Sequence, residues 1–191
     1  MKKLAVFFPG IGYTVDKPLM HYSRRLAAAA GYETLLLPYT GFPKKIRGDR
    51  ARMEESFRIA MSQAQEMLSG VVWEEYDSIL FVGKSIGTAV AGRIAEQNPA
   101  TDRIRMILYT PLEETFSCRF GEAIVFTGTA DPWVGGPDSR IAALAEERGY
   151  VCHLVPDANH SLETQDVERD IQNMKRIMEK TEEFIYAFPG M

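Results

Sequence analysis

Residues 78–95 read Ser78-Ile79-Leu80-Phe81-Val82-Gly83-Lys84-Ser85-Ile86-Gly87-Thr88-Ala89-Val90-Ala91-Gly92-Arg93-Ile94-Ala95. The run 78–82 is apolar and of strand length, and the stretch after Gly87 reads as a helix rich in small residues. Between them stands Gly-x-Ser-x-Gly. A serine in a turn this tight needs neighbours without side chains, because strand and helix approach each other closely. The strained turn lifts the Ser85 hydroxyl above the sheet edge and points the Ile86 N–H into the same space. The alternative is a packing role for Ser85, as a small residue easing helix against sheet. The same letters also end like a phosphate-binding loop, G-x-x-x-x-G-K-S. That motif needs a glycine at position 78, which is Ser78, and residues 79–82 extend a strand instead of offering free N–H groups to phosphate.

Outward from this turn, short apolar runs alternate with longer amphipathic segments, the pattern of βαβ units and a mostly parallel sheet. The expected strands are 4–8, 33–37, 78–82, 104–109, 123–127 and 151–155, each closed by a nearby Gly or Pro. Asp16 is placed to cap a helix ending near Ala30, with Leu19, Tyr22, Leu26 and Ala30 on its buried face. Residues 50–69 carry Met53, Phe57, Ala60, Ala64, Met67 and Leu68 as a second stripe, and residues 138–148 form a third helix. A last helix over 162–187 carries Val167, Ile171, Met174, Met178 and Ile185. The expected fold is a single domain over residues 1–191, three-layer α/β/α around a mostly parallel sheet of about six strands.

A serine hydroxyl is a poor nucleophile unless a base takes its proton and a third group orients that base. Three histidines are available. His21 lies inside the first helix and His153 inside the last strand, whereas His160 follows that strand on a short loop and precedes the final helix. A base at the carboxyl end of the last strand reaches a nucleophile at the carboxyl end of a central one. Asp131, on the loop after strand 123–127, emerges on the same sheet edge and is the expected acid; Asp157, in the tight turn before His160, is the fallback. An oxyanion site needs two N–H donors. The Ile86 N–H is one, and the glycine turn Pro9-Gly10-Ile11-Gly12 supplies the other, assigned to Ile11 with Gly12 close behind. That turn is no dinucleotide fingerprint, since Val15 stands where a third glycine would be required.

With Ser85, Asp131 and His160 in that chain order, each after an expected strand, the sequence resembles the α/β-hydrolase superfamily. It looks like the small lidless members related to dienelactone hydrolase and the short carboxylesterases. The resemblance runs from the first glycine turn to the last helix and implies a minimal sheet without a cap domain. It implies Ser85 as nucleophile, His160 as general base, Asp131 as its orienter, and Ile11 and Ile86 as oxyanion donors. The implied activity is cleavage of a small ester or thioester without metal or other cofactor; the alternative is a non-catalytic ligand-binding protein of the same fold. Gly12, Tyr13, Phe42, Tyr109 to Leu112 and Trp133 are the expected pocket residues. Two departures stand out. Pro9 replaces a histidine common in relatives, which removes a supporting hydrogen bond, and Lys84 adjoins the nucleophile. A lysine there reads as a solvent-facing side chain or, alternatively, as a preference for anionic substrates.

Composition excludes other classes. Lys+Arg 22 against Asp+Glu 26 leaves a net charge of −4, so no general electrostatic drive towards nucleic acid or anionic lipid exists. The run Lys44, Lys45, Arg47, Arg50 and Arg52 is expected to be a solvated face. Cys118 and Cys152 show no metal-ligand spacing and read as small buried residues. The apolar run 4–8 is too short for a signal peptide's core, and no stretch reaches membrane-spanning length, so a cytoplasmic location is expected.

Overall fold

The computed structural model describes residues 1–46 and 48–187. Six strands, β1 (Lys3–Phe8), β2 (Glu33–Leu36), β3 (Ser78–Lys84), β4 (Ile104–Tyr109), β5 (Ala123–Gly128) and β6 (Val151–Val155), form one sheet in the order β2-β1-β3-β4-β5-β6. Every neighbouring pair is parallel. All the strand ends that carry loops towards the helices therefore open on one edge. β3 lies in the interior of the sheet between β1 and β4, with Val82 opposite Phe7 on one side and Ile107 on the other.

Among the described residues five helices cover the two faces: α1 (Pro18–Ala29), α2 (Arg50–Leu68), α3 (Ile86–Gln97), α4 (Ile141–Glu147) and α5 (Val167–Tyr186). Side chains alternate across each strand, so Leu4, Val6 and Phe8 join one core with Ala60, Ala64, Val90, Ile94 and Ile141 from α2, α3 and α4. Ala5 and Phe7 point the other way and join Leu19, Met20, Ile177 and Ile185 from α1 and α5. β3 is buried along its whole length, which is why it reads as a continuous apolar run rather than an alternating one.

The helices differ in detail from the sequence expectation. α1 starts at Pro18, with Lys17 at the cap position and no side-chain cap, so Asp16 does not cap it. Its buried face is Leu19, Met20, Ser23 and Ala27, while Tyr22 is 45% exposed. α4 is shorter than 138–148, because a separate turn of 3-10 helix takes Gly136–Asp138. α5 starts at Val167 rather than at 162: Asp166 caps it by accepting from the N–H groups of Glu168 and Arg169. Val167 and Ile171 are exposed, and the buried stripe is Asn173, Ile177, Thr181 and Ile185. Two polar members of these stripes, Ser23 and Thr181, share a partner across the core. The Tyr109 hydroxyl lies 2.9 Å from Ser23 Oγ and 2.6 Å from Thr181 Oγ1, tying α1, β4 and α5 together.

Among the described residues no helix is long and apolar enough to cross a membrane. Arg50 pairs with Glu54 and Arg52 with Asp49 on the exposed start of α2, and Arg47 lies outside the described residues. Cys118 is buried and Cys152 half-buried, and burial raises both thiols above their ordinary range.

Candidate active site

β3 ends at Lys84 and α3 begins at Ile86, so Ser85 alone makes the reversal, at φ 54° and ψ −126°. An L-residue adopts this conformation only when its surroundings impose it. Three bonds do so: the Ser85 N–H donates to the Tyr109 carbonyl at 3.0 Å, and the Thr88 N–H and hydroxyl both donate to the Ser85 carbonyl. The flanking glycines leave the necessary room. A Cβ at Gly83 would lie 2.8 Å from the Thr88 Cα, and one at Gly87 would lie 2.5 Å from the Pro9 carbonyl oxygen.

The loops after β5 and β6 meet this turn. His160 Nε2 is 2.7 Å from Ser85 Oγ, and His160 Nδ1 is 2.7 Å from Asp131 Oδ2. Asp131 is fully buried, and its Oδ1 accepts from the Trp133 N–H at 2.9 Å, so both carboxylate oxygens are engaged. With the carboxylate at Nδ1, the ring proton belongs there and the Nε2 lone pair faces the serine hydroxyl. Burial holds the His160 imidazole below its ordinary value of 6.5; the hydrogen bond to Asp131 opposes that shift and the charge of Lys84 adds to it. Thr110 fixes the loop by donating its hydroxyl to the His160 carbonyl at 3.1 Å. Gly128 lets the same loop come close: a Cβ there would be 2.8 Å from the Asn159 carbonyl oxygen.

The other candidates are placed elsewhere. His153 stacks on Phe126 with ring centroids 5.2 Å apart, and His21 packs edge-on against Tyr22. Asp157 shapes its turn at φ 59° and pairs at the surface with Arg169, 2.9 Å away. On the β1 side, the Gly10 N–H closes a turn onto the Tyr13 carbonyl, and a Cβ at Gly10 would lie 3.2 Å from the Ser85 Cβ. The N–H groups of Ile11 and Ile86 donate to no backbone carbonyl among the described residues.

A groove of about 1340 Å³ runs from Ile86 and Trp133 along the start of α2. Ile46, Met53, Phe57 and Leu112 give it apolar walls, and Arg50, Arg58, Arg93, Glu54 and Glu114 also line it. Trp133 lies 5.5 Å from the His160 ring. The remaining expected pocket residues sit outside this lining. Tyr109 is entirely buried with its hydroxyl in the core network, because strand alternation directs it under α1 and α5. Tyr13 is buried too, its hydroxyl accepting from the Leu19 N–H. Phe42 packs on Tyr39, and Gly12 is an exposed turn residue at φ 72°.

Lys84 is the main surprise. It is 1% exposed, not solvent-facing, with its Nζ 5.0 Å from the centroid of the Tyr13 ring. The signal was present in strand parity: Lys84 follows Leu80 and Val82 at two-residue steps, and both belong to the core under α1 and α5.

No family model matches the chain, and no curated protein does. Solved structures do match. A dienelactone hydrolase from Anabaena variabilis superposes with a TM-score of 0.65 at 16% identity, over 95% of this chain and 84% of that one. A serine hydrolase without lid from Xanthomonas campestris gives 0.62 at 14% identity, over 98% and 84%. The Pyrococcus furiosus esterase Pf2001 gives 0.63 at 14% identity, over 96% and 82%. This is the α/β-hydrolase fold. The chain builds the α/β-hydrolase fold without a cap domain among the described residues. Ile46 and Asp49, ahead of α2, line the groove.

Proposed function

We propose that the chain is a serine hydrolase that cleaves a small ester or thioester through an acyl-enzyme on Ser85. One observation carries this reading: the unbroken line from Ser85 Oγ through both nitrogens of His160 to the buried Asp131, each link 2.7 Å. A packing serine or a ligand-binding cleft needs no such line, nor a backbone held at positive φ to present the hydroxyl.

The reaction follows from the proton positions. Ser85 Oγ attacks the acyl carbon as its proton passes to His160 Nε2, and the carbonyl oxygen becomes an anion. The N–H groups of Ile86 and Ile11 are assigned to that anion, both being without a backbone acceptor among the described residues. Asp131 stays ionised and stabilises the imidazolium. Collapse of the tetrahedral intermediate expels the alcohol or thiol, which takes the Nε2 proton. Water, deprotonated by the same nitrogen, then releases the carboxylic acid and returns the proton to Ser85. The apolar walls of the groove, with Trp133 beside His160, suit a modest acyl or alcohol group.

The test is intact mass after incubation with a fluorophosphonate. One adduct per chain is expected for the parent and none for Ser85→Ala. A folded parent that takes no label overturns the reading.

A further inference from the structure

The turn assigned to the oxyanion has glycines at positions 10 and 12, with Gly12 exposed at φ 72° and Ile11 half-buried between them. Glycine backbone adopts many conformations at little steric cost, so this stretch does not hold one shape by itself. A donor aimed at a developing charge is effective only when it is held in place beforehand. The turn lies directly against the nucleophile: a Cβ at Gly10 would be 3.2 Å from the Ser85 Cβ and 3.2 Å from the Lys84 carbonyl oxygen. What fixes it is Tyr13, whose side chain leaves the turn for the core under α1 and α5.

Tyr13 is held at three points. Its carbonyl accepts the Gly10 N–H at 3.1 Å, which closes the turn. Its hydroxyl accepts the Leu19 N–H at 3.2 Å. Leu19 is the second residue of α1, and the first N–H groups of a helix have no acceptor within it. Lys17, at the cap position, supplies no side-chain bond, so the tyrosine oxygen does the work of a capping side chain. The face of the ring lies 5.0 Å from the Nζ of Lys84, the last residue of β3. One side chain thus ties the turn to the start of α1 and to the residue before Ser85.

We propose that Tyr13 is a positioning residue: tied to Leu19 through its hydroxyl and to Lys84 through its ring, it sets the turn that presents the Ile11 N–H beside Ser85. The role of that N–H rests on the serine-hydrolase reading; the tie itself does not, and it is measurable without substrate. Tyr13 does not line the groove and makes no bond to Ser85, His160 or Asp131. Loosening it therefore spares substrate binding and weakens a contact that gains strength only as charge develops on the carbonyl oxygen.

The variant is Tyr13→Phe, which keeps the ring over Lys84 and removes the oxygen that receives the Leu19 N–H. Hydrogen exchange of the full chain, read by mass spectrometry, is expected to run about tenfold faster over residues 9–14 than in the parent, with β4 and β5 unchanged. Turnover of a p-nitrophenyl ester is expected to show kcat lower by about tenfold and KM within about twofold of the parent. Unchanged exchange over 9–14 in the folded variant overturns the proposal. So does a rise confined to α1, which would make Tyr13 a cap of that helix alone, and so does a raised KM with kcat kept. If Tyr13→Phe does not fold, Lys84→Met, which takes the cation from the ring face, replaces it with the same expected and overturning exchange results. Fluorophosphonate labelling of the parent keeps the two readings apart. Faster exchange over 9–14 with an unlabelled parent removes acyl transfer and leaves the tie standing; a labelled parent with unchanged exchange removes the tie and leaves acyl transfer standing.

Discussion

Gly87, one residue into α3, lies against the backbone that leaves β1: a Cβ on it would fall 2.5 Å from the Pro9 carbonyl oxygen, and the Phe8 carbonyl is in the way as well. These are backbone atoms of an interior strand and its loop, which cannot turn aside as a flexible side chain would. Gly87→Ala must push α3 off the sheet or displace the turn that holds Gly10 and Ile11. Its expected cost is about 3 kcal/mol or more in a urea titration, despite alanine's better helix propensity. A variant within about 1 kcal/mol of the parent would show that the strand-to-helix turn is looser than its geometry states.

Asp131→Asn tests the orienting role proposed for Asp131. The amide keeps the size of the carboxylate, and its oxygen still accepts from the Trp133 N–H, so the loop is retained. Its NH₂ then faces His160 Nδ1 and demands a lone pair there, moving the ring proton to Nε2, where it blocks acceptance from Ser85. Turnover of a p-nitrophenyl ester is expected to fall by roughly 10⁴ with the fold intact. Asp157→Asn removes only an exposed pair with Arg169 and should leave turnover close to that of the parent. The opposite ranking would assign the acid to Asp157.

These positions also mark how far the sequence could be read. All six strands were legible because each is an apolar run closed by Gly or Pro, and buried parallel strands leave that trace. Ser85, Asp131 and His160 were legible because each follows such a run, and parallel strands deliver their following loops to one edge. Helix faces were harder. On α5 the buried positions are Asn173, Ile177, Thr181 and Ile185, two of them polar, so an apolar stripe drawn through Val167 and Ile171 drifts to the solvent side. Thr181 is buried because Tyr109 supplies its hydrogen bond from 72 residues away, a relation that no local periodicity holds. Lys84 was misread for a similar reason. Charge argued for water, while strand parity, the stronger constraint inside a sheet, placed it beneath Tyr13.

The pH dependence follows from His160. Burial, aided by the charge of Lys84, holds its imidazole below 6.5 against the pull of Asp131. In the proposed hydrolase the base must be neutral, so kcat/KM is expected to fall with pH on an acid limb centred below 6.5. Stability shares the sign: under pH 6.5 the unfolded chain takes up a proton at this position before the folded one does, so folding weakens as pH drops towards the folded value. An initial-rate profile from pH 4 to 9 checks the first statement. A limb centred above 6.5 would contradict the burial of the ring.

Lys84→Met should make the protein more stable, not less. In the folded chain the ammonium is lowered from 10.5 to about 7, so burying it charged at pH 6 is unfavourable, on the order of a few kcal/mol. Losing the contact with Tyr13 returns about 1–2 kcal/mol of this. The net expectation at pH 6 is a gain of about 1–3 kcal/mol. Between about 7 and 10.5 the unfolded chain holds a proton that the folded parent has released, so the parent gains stability as pH rises through that window. The gap between variant and parent should therefore shrink from pH 6 to pH 9 in paired guanidinium titrations. A variant destabilised equally at both values would identify Lys84 as a packing element of the core under α1 and α5, with no bearing on the charge around His160.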